Sequence, residues 1–70
     1  MQNIILYSLP TCAKCAVLRK KMEEKSISYL ENQDEELMKQ KGIFSCPTLE
    51  IDRKLLTFAE AVQWVNERTN

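Results

Sequence analysis

Ile4-Ile5-Leu6-Tyr7-Ser8-Leu9-Pro10-Thr11-Cys12-Ala13-Lys14-Cys15 is the stretch on which the fold turns. Its first four residues are a continuous apolar run rich in β-branched side chains, the pattern of a strand covered on both faces. Leu9-Pro10-Thr11 breaks the run. From Cys12 to about Lys25 the spacing becomes helical: Cys15, Leu18 and Met22 share one face, while Arg19, Lys20, Glu23 and Glu24 fall largely elsewhere. Ile27 to Leu30 then reads as a second short strand. The segment from Cys12 to Ser26 is long enough for the crossover that parallel strands require, so the first half predicts a right-handed β-α-β unit.

The second half is more compressed. Asp34 is placed to cap a short helix through about Lys41, with acidic residues in its first turn and Lys39 and Lys41 in its last. Gly42, the only glycine, follows where a helix C-terminus favours a left-handed backbone. Thr48-Leu49-Glu50-Ile51 alternates polar and apolar, as a half-exposed strand does. Asp52-Arg53-Lys54 is a tight turn, and Leu55-Leu56 returns as an edge strand. Thr57-Phe58-Ala59-Glu60 matches a capping box, and Phe58, Ala61, Val62 and Val65 form the apolar stripe of a last helix. Trp64 borders that stripe and is expected to pack partly into the core. The order is β-α-β-α-β-β-α, an α/β chain whose residues 1–70 form one domain.

Bulk properties narrow the function. Seventy residues bury only roughly 60% of the surface that the unfolded chain exposes, which calls for an economical core. Ten basic and ten acidic residues cancel, so no charge excess exists to follow a phosphate backbone or hold an anionic membrane. Nucleic acid and membrane are not expected as partners. A monomer is expected. The apolar run Ile4–Tyr7 lacks the basic flank and cleavage pattern of a leader, so the chain is expected in the cytoplasm. Thiols are kept reduced there, and three cysteines cannot all pair within one chain.

Cys12-Ala13-Lys14-Cys15 is a Cys-x-x-Cys at a strand-to-helix junction. The first cysteine stands at the helix N-terminus, where free backbone N–H groups and the positive end of the helix dipole favour a thiolate. The second lies one turn on, within reach of a disulfide. Lys14 either adds a positive charge that helps the thiolate or is simply solvated. The leading function is redox: Cys12 attacks a substrate disulfide and Cys15 resolves the mixed disulfide. A metal- or cluster-binding module using Cys12, Cys15 and Cys46 is the alternative. Without histidine, a closed zinc site needs an acidic ligand or a second chain. The third reading leaves the cysteines inert.

At two motifs the chain resembles the glutaredoxin family, in particular the small glutaredoxin-like redoxins that donate electrons to ribonucleotide reductase. Tyr7 to Cys15 resembles their strand end and active-site loop. Gly42-Ile43-Phe44-Ser45-Cys46-Pro47-Thr48-Leu49 is similar to the loop carrying their cis-proline. The resemblance implies a minimal thioredoxin fold, with a four-stranded mixed sheet in the order 2-1-3-4 and helices on both faces. It implies thiol–disulfide oxidoreductase activity on protein or small-molecule disulfides, ribonucleotide reductase among them, with no bound cofactor. Electrons would come from glutathione or from a flavoprotein reductase with NADPH. Tyr7, Pro10, Thr11, Lys14, Cys46 and Pro47 are then expected to line the substrate groove.

The residues themselves leave three of these open. Tyr7 is equally read as a buried strand tyrosine, and Pro47 as a trans proline opening an edge strand. Cys46 is either a small hydrophobe in an aliphatic position or a third functional thiol. The family's glycine-rich turn after the fourth strand is replaced here by Leu56-Thr57-Phe58. Glutathione is therefore expected to bind weakly, which makes a reductase the better electron source.

Overall fold

Strand β1, Ile4–Tyr7, forms where the apolar run predicts it and becomes an inner strand of a four-stranded sheet. The computed structural model describes residues 3–68, so both ends of the expected 1–70 domain lie outside the described residues. Helix α1 (Ala13–Glu24), strand β2 (Leu30–Asn32) and helix α2 (Glu35–Gln40) follow, then strands β3 (Thr48–Ile51) and β4 (Lys54–Leu56) and helix α3 (Phe58–Asn66). The sheet order is β2-β1-β3-β4. β1 and β2 are parallel, and the other two pairings are antiparallel. This is the minimal thioredoxin fold that the family resemblance implies.

Each face of the sheet has its own core. On one, Leu18 and Met22 of α1 and Ala61 and Val65 of α3 pack with Leu6, Leu49, Ile51 and Leu56 of the sheet. Trp64 packs at the margin of that cluster, half-buried as expected. Burying one such leucine or valine side chain contributes about 1.5–3 kcal/mol, so this cluster carries most of the stability. On the other face, Met38 of α2 packs with Tyr7 and Ile43, and Cys46 lies against them.

Two expectations need correcting. The second strand starts at Leu30 and not at Ile27. α1 ends in a Schellman motif: Ser26 takes φ 58° and the Ile27 N–H donates to the Met22 carbonyl at 2.9 Å. Ile27 is thereby committed to packing against the core under α1 and α3, and the chain reaches the β1 ladder only at Leu30, which pairs with Ile5. The third strand is not half-exposed. It runs between β1 and β4 with all four residues buried, and Glu50 is held there by the Tyr7 hydroxyl (3.1 Å) and Lys41 Nζ (3.2 Å).

α2 closes with the same device, this time with glycine. Gly42 takes φ 78°, and the Ile43 N–H donates to the Met38 carbonyl at 2.8 Å. The side-chain position of Gly42 is open, so backbone conformation alone calls for glycine there. The β3–β4 hairpin turns on Asp52 and Arg53, both in the left-handed region at φ 49° and 75°. No helix among the described residues is long and apolar enough to cross a membrane.

Candidate active site

The antiparallel pairing of Tyr7 with Thr48 decides where the site forms. It sets the loop leaving β1 beside the loop entering β3, so two motifs some thirty residues apart meet at one end of the sheet. In the first loop the Cys12 N–H donates to the Leu9 carbonyl at 3.3 Å, closing a turn that presents Cys12 as the N-cap of α1. In the second, the Cys46–Pro47 peptide is cis, and the Cys46 carbonyl oxygen lies 3.8 Å from Cys12 Sγ.

Cys12 and Cys15 are joined as a disulfide, with their Cα atoms 5.2 Å apart. The two sulfurs differ in surroundings. Cys12 is half-exposed and accepts a hydrogen bond from the Cys15 N–H at 3.1 Å. Cys15 is fully buried, on the face of α1 that carries Leu18 and Met22. A backbone N–H aimed at a sulfur at a helix N-terminus stabilises negative charge on it. The accessible sulfur is therefore also the one the fold prepares as a thiolate.

The other expected groove residues separate into two groups. Pro10 and Thr11 are exposed in the Cys12 loop, and Pro47 is buried next to the Cys46 carbonyl. Lys14 is exposed, its ammonium 5.6 Å from the centre of the Phe58 ring on α3. Tyr7 stands apart from these. It is 1% exposed under α2 and its hydroxyl donates to Glu50, so it serves the sheet core and offers no surface to a ligand. Burial, then the Glu50 carboxylate, push its phenol above the ordinary range.

Cys46 presents its backbone to the site and its thiol to the core. The thiol points at Met38 Sδ, 3.7 Å away, within the cluster under α2. Burial, reinforced by the Glu35 carboxylate, raises its pKa, which disfavours the nucleophilic thiolate. Among the described residues no three histidine, cysteine, aspartate or glutamate side chains form a metal-holding group. The Cys12, Cys15 and Cys46 set is thus not assembled as ligands.

Sequence reasoning missed two features of the site. Phe44 is 84% exposed and lines a cavity of about 190 Å³ together with Leu9, Met38, Ile43 and Cys46. A lone aromatic in a loop carries no periodicity, so nothing in the sequence told exposed from buried. Ser8 is fully buried and bonded to Glu31. Strand alternation supplied that signal, since Ser8 follows Leu6 on the inward face and a buried hydroxyl needs a partner. Two larger clefts, of about 420 and 430 Å³, open around Glu50 and Arg53 where the short α2 leaves the sheet uncovered. Neither is lined by a cysteine.

Comparison with family models, with curated proteins and with solved structures gave no match.

Proposed function

We propose that this chain is a glutaredoxin-like thiol–disulfide oxidoreductase, an electron carrier that reduces disulfides through Cys12 and Cys15. The observation that carries the proposal is the asymmetry of the pair: an accessible, N–H-bonded Cys12 and a buried Cys15 one turn away. The Cys12 thiolate attacks one sulfur of the substrate disulfide, forming a mixed disulfide and expelling the other sulfur as a thiolate. Cys15 then attacks Cys12 and expels the second substrate thiolate. Two electrons and two protons pass to the substrate, and the chain is left as the Cys12–Cys15 disulfide. Glutathione or a reduced flavoprotein must return those electrons.

The substrate we favour is a disulfide in a protein, ribonucleotide reductase being the case that the family resemblance implies. Phe44 and the cavity beside it, lined by Leu9 and Cys46 of the two loops that meet at Cys12 and edged by Glu35 and Lys39, offer mainly apolar surface suited to a polypeptide. The N-terminus of α3, where the resembling family grips glutathione, is already occupied. The Thr57 N–H donates to Glu60 Oε1 at 3.0 Å, and the Glu60 N–H donates to Thr57 Oγ1 at 3.3 Å. A capped terminus has fewer free donors for an incoming carboxylate. We accordingly favour re-reduction by a flavoprotein reductase with NADPH over glutathione, and we read the carrier as a cytoplasmic monomer.

Turnover of a protein disulfide tests this in two arms, one with NADPH and thioredoxin reductase, the other with glutathione and its reductase. The expected result is faster turnover in the first arm. Faster, saturable turnover with glutathione overturns the choice of donor, and no turnover in either arm overturns the oxidoreductase reading.

A further inference from the structure

Ser8, at the root of the Cys12 loop, is fully buried, and its N–H and hydroxyl are both engaged. Its N–H donates to the Asn32 carbonyl at 3.1 Å, and its hydroxyl donates to Glu31 Oε2 at 2.6 Å and accepts from Gln33 Nε2 at 3.3 Å. Glu31 in turn receives the Arg19 guanidinium as a two-pronged pair, Nε to Oε1 at 3.1 Å and Nη2 to Oε2. Arg19 lies on α1, two turns beyond Cys12. The residue after Ser8, Leu9, provides the carbonyl that closes the turn onto the Cys12 N–H.

These contacts form a closed circuit. From Cys12 it runs along α1 to Arg19, across to Glu31 on β2, to Ser8 at the end of β1, and through Leu9 back to Cys12. Each link is a hydrogen bond or continuous backbone, and a bidentate guanidinium–carboxylate pair fixes orientation as well as distance. The Arg19 guanidinium holds the Glu31 carboxyl below its ordinary pKa, with the Ser8 hydroxyl acting in the same direction. The clamp is therefore intact through the neutral range. It ties the second turn of α1 to the root of the loop that carries Cys12, the residue whose sulfur caps that helix by accepting from the Cys15 N–H.

We propose that Glu31 is a positioning residue for the dithiol, acting through Ser8 and Arg19 to keep Cys12 at the helix cap in its thiolate-favouring place. The inference rests on the oxidoreductase reading and adds a residue to it. Glu31 is on an edge strand, so its removal spares the core. With the clamp open, the reduced form loses stabilisation of the Cys12 thiolate. The dithiol becomes more reducing and Cys12 reacts only at higher pH.

The test compares the full-length protein with Glu31→Ala, Ser8→Ala and Ser8→Thr, reading the reduction potential of the pair and the pH midpoint of Cys12 alkylation. Urea midpoints are measured alongside. Glu31→Ala and Ser8→Ala are each expected to shift the dithiol–disulfide equilibrium roughly tenfold, about 30 mV toward more reducing. The double variant should shift it no further, because both break one circuit. Ser8→Thr keeps a hydroxyl and should restore the wild-type value. A Glu31→Ala protein that loses stability while its potential and alkylation midpoint stay at wild type overturns the proposal, since the clamp would then be structural only. If the wild-type pair holds no reversible disulfide, the oxidoreductase reading falls and the inference with it.

Discussion

Replacing Cys46 with alanine separates the two roles that the third cysteine can have. The substitution leaves the backbone carbonyl beside Cys12 in place and removes only the sulfur that packs on Met38. A fully buried group of that size is worth about 0.8 kcal/mol, and Cys46 is half-buried. Adding the lost sulfur–sulfur contact gives a cost of about 0.5–1 kcal/mol. In urea, where a small domain loses roughly 1 kcal/mol per molar, the midpoint should fall by about 0.5–1 M. Turnover of a protein disulfide should stay within about twofold of the parent, because the raised thiol pKa keeps Cys46 out of thiol exchange at neutral pH. Denaturation followed by circular dichroism, with turnover measured on the same samples, reads both effects. A roughly tenfold loss of turnover in a variant that remains folded would refute the reasoning and make Cys46 a working thiol.

Further outcomes follow from the same structure. Leu18→Ala opens a cavity where α1 and α3 meet the sheet and should cost about 2–4 kcal/mol; a urea-midpoint shift worth under about 1 kcal/mol contradicts the core as described. Phe44→Ser should raise KM for a protein disulfide about fivefold with kcat unchanged, and leave a small dialkyl disulfide unaffected; equal losses on both substrates argue against Phe44 as a contact for polypeptide. The Glu31 carboxyl has a lowered folded-state pKa, chiefly through Arg19, so its contribution is complete above the ordinary value of 4.5 and is lost as the pH falls through the folded value. Urea midpoints between about pH 5 and about pH 3 should therefore decline less steeply in Glu31→Gln than in the parent, and parallel declines count against the clamp.

The parts of the fold written in local chemistry were legible. The Ile4–Tyr7 run became β1 with those bounds, Asp34 caps α2, and Thr57 and Glu60 make the reciprocal cap of α3. Each depends on neighbours within four residues, which is the range that sequence patterns encode. The cis bond at Pro47 came from family resemblance, since the residues alone favour a trans proline.

What the sequence hid depends on distant partners. Ile27 looked like a strand residue because its side chain is β-branched and apolar, yet its N–H is claimed by the end of α1. Glu50 looked like the exposed half of an alternating strand until Tyr7 on β1, far back in the chain, and Lys41 at the C-cap of α2 supplied its partners. The same holds at the site. Cys12 and Cys15 are apparent from their spacing, whereas the Ser8, Glu31 and Arg19 circuit joins three elements and leaves no motif.

The central claim is that Cys12 is the attacking sulfur and Cys15 the resolving one. A Cys15→Ser variant tests it directly, because attack can then proceed but release cannot. The reduced variant is incubated with a disulfide-bonded protein at neutral pH, quenched by alkylation, and mapped by peptide mass. The account predicts a mixed disulfide trapped on Cys12, with Cys46 recovered alkylated and no such adduct in the wild type after equal time. An adduct carried by Cys46, or no adduct while Cys12 is fully alkylatable, would contradict it.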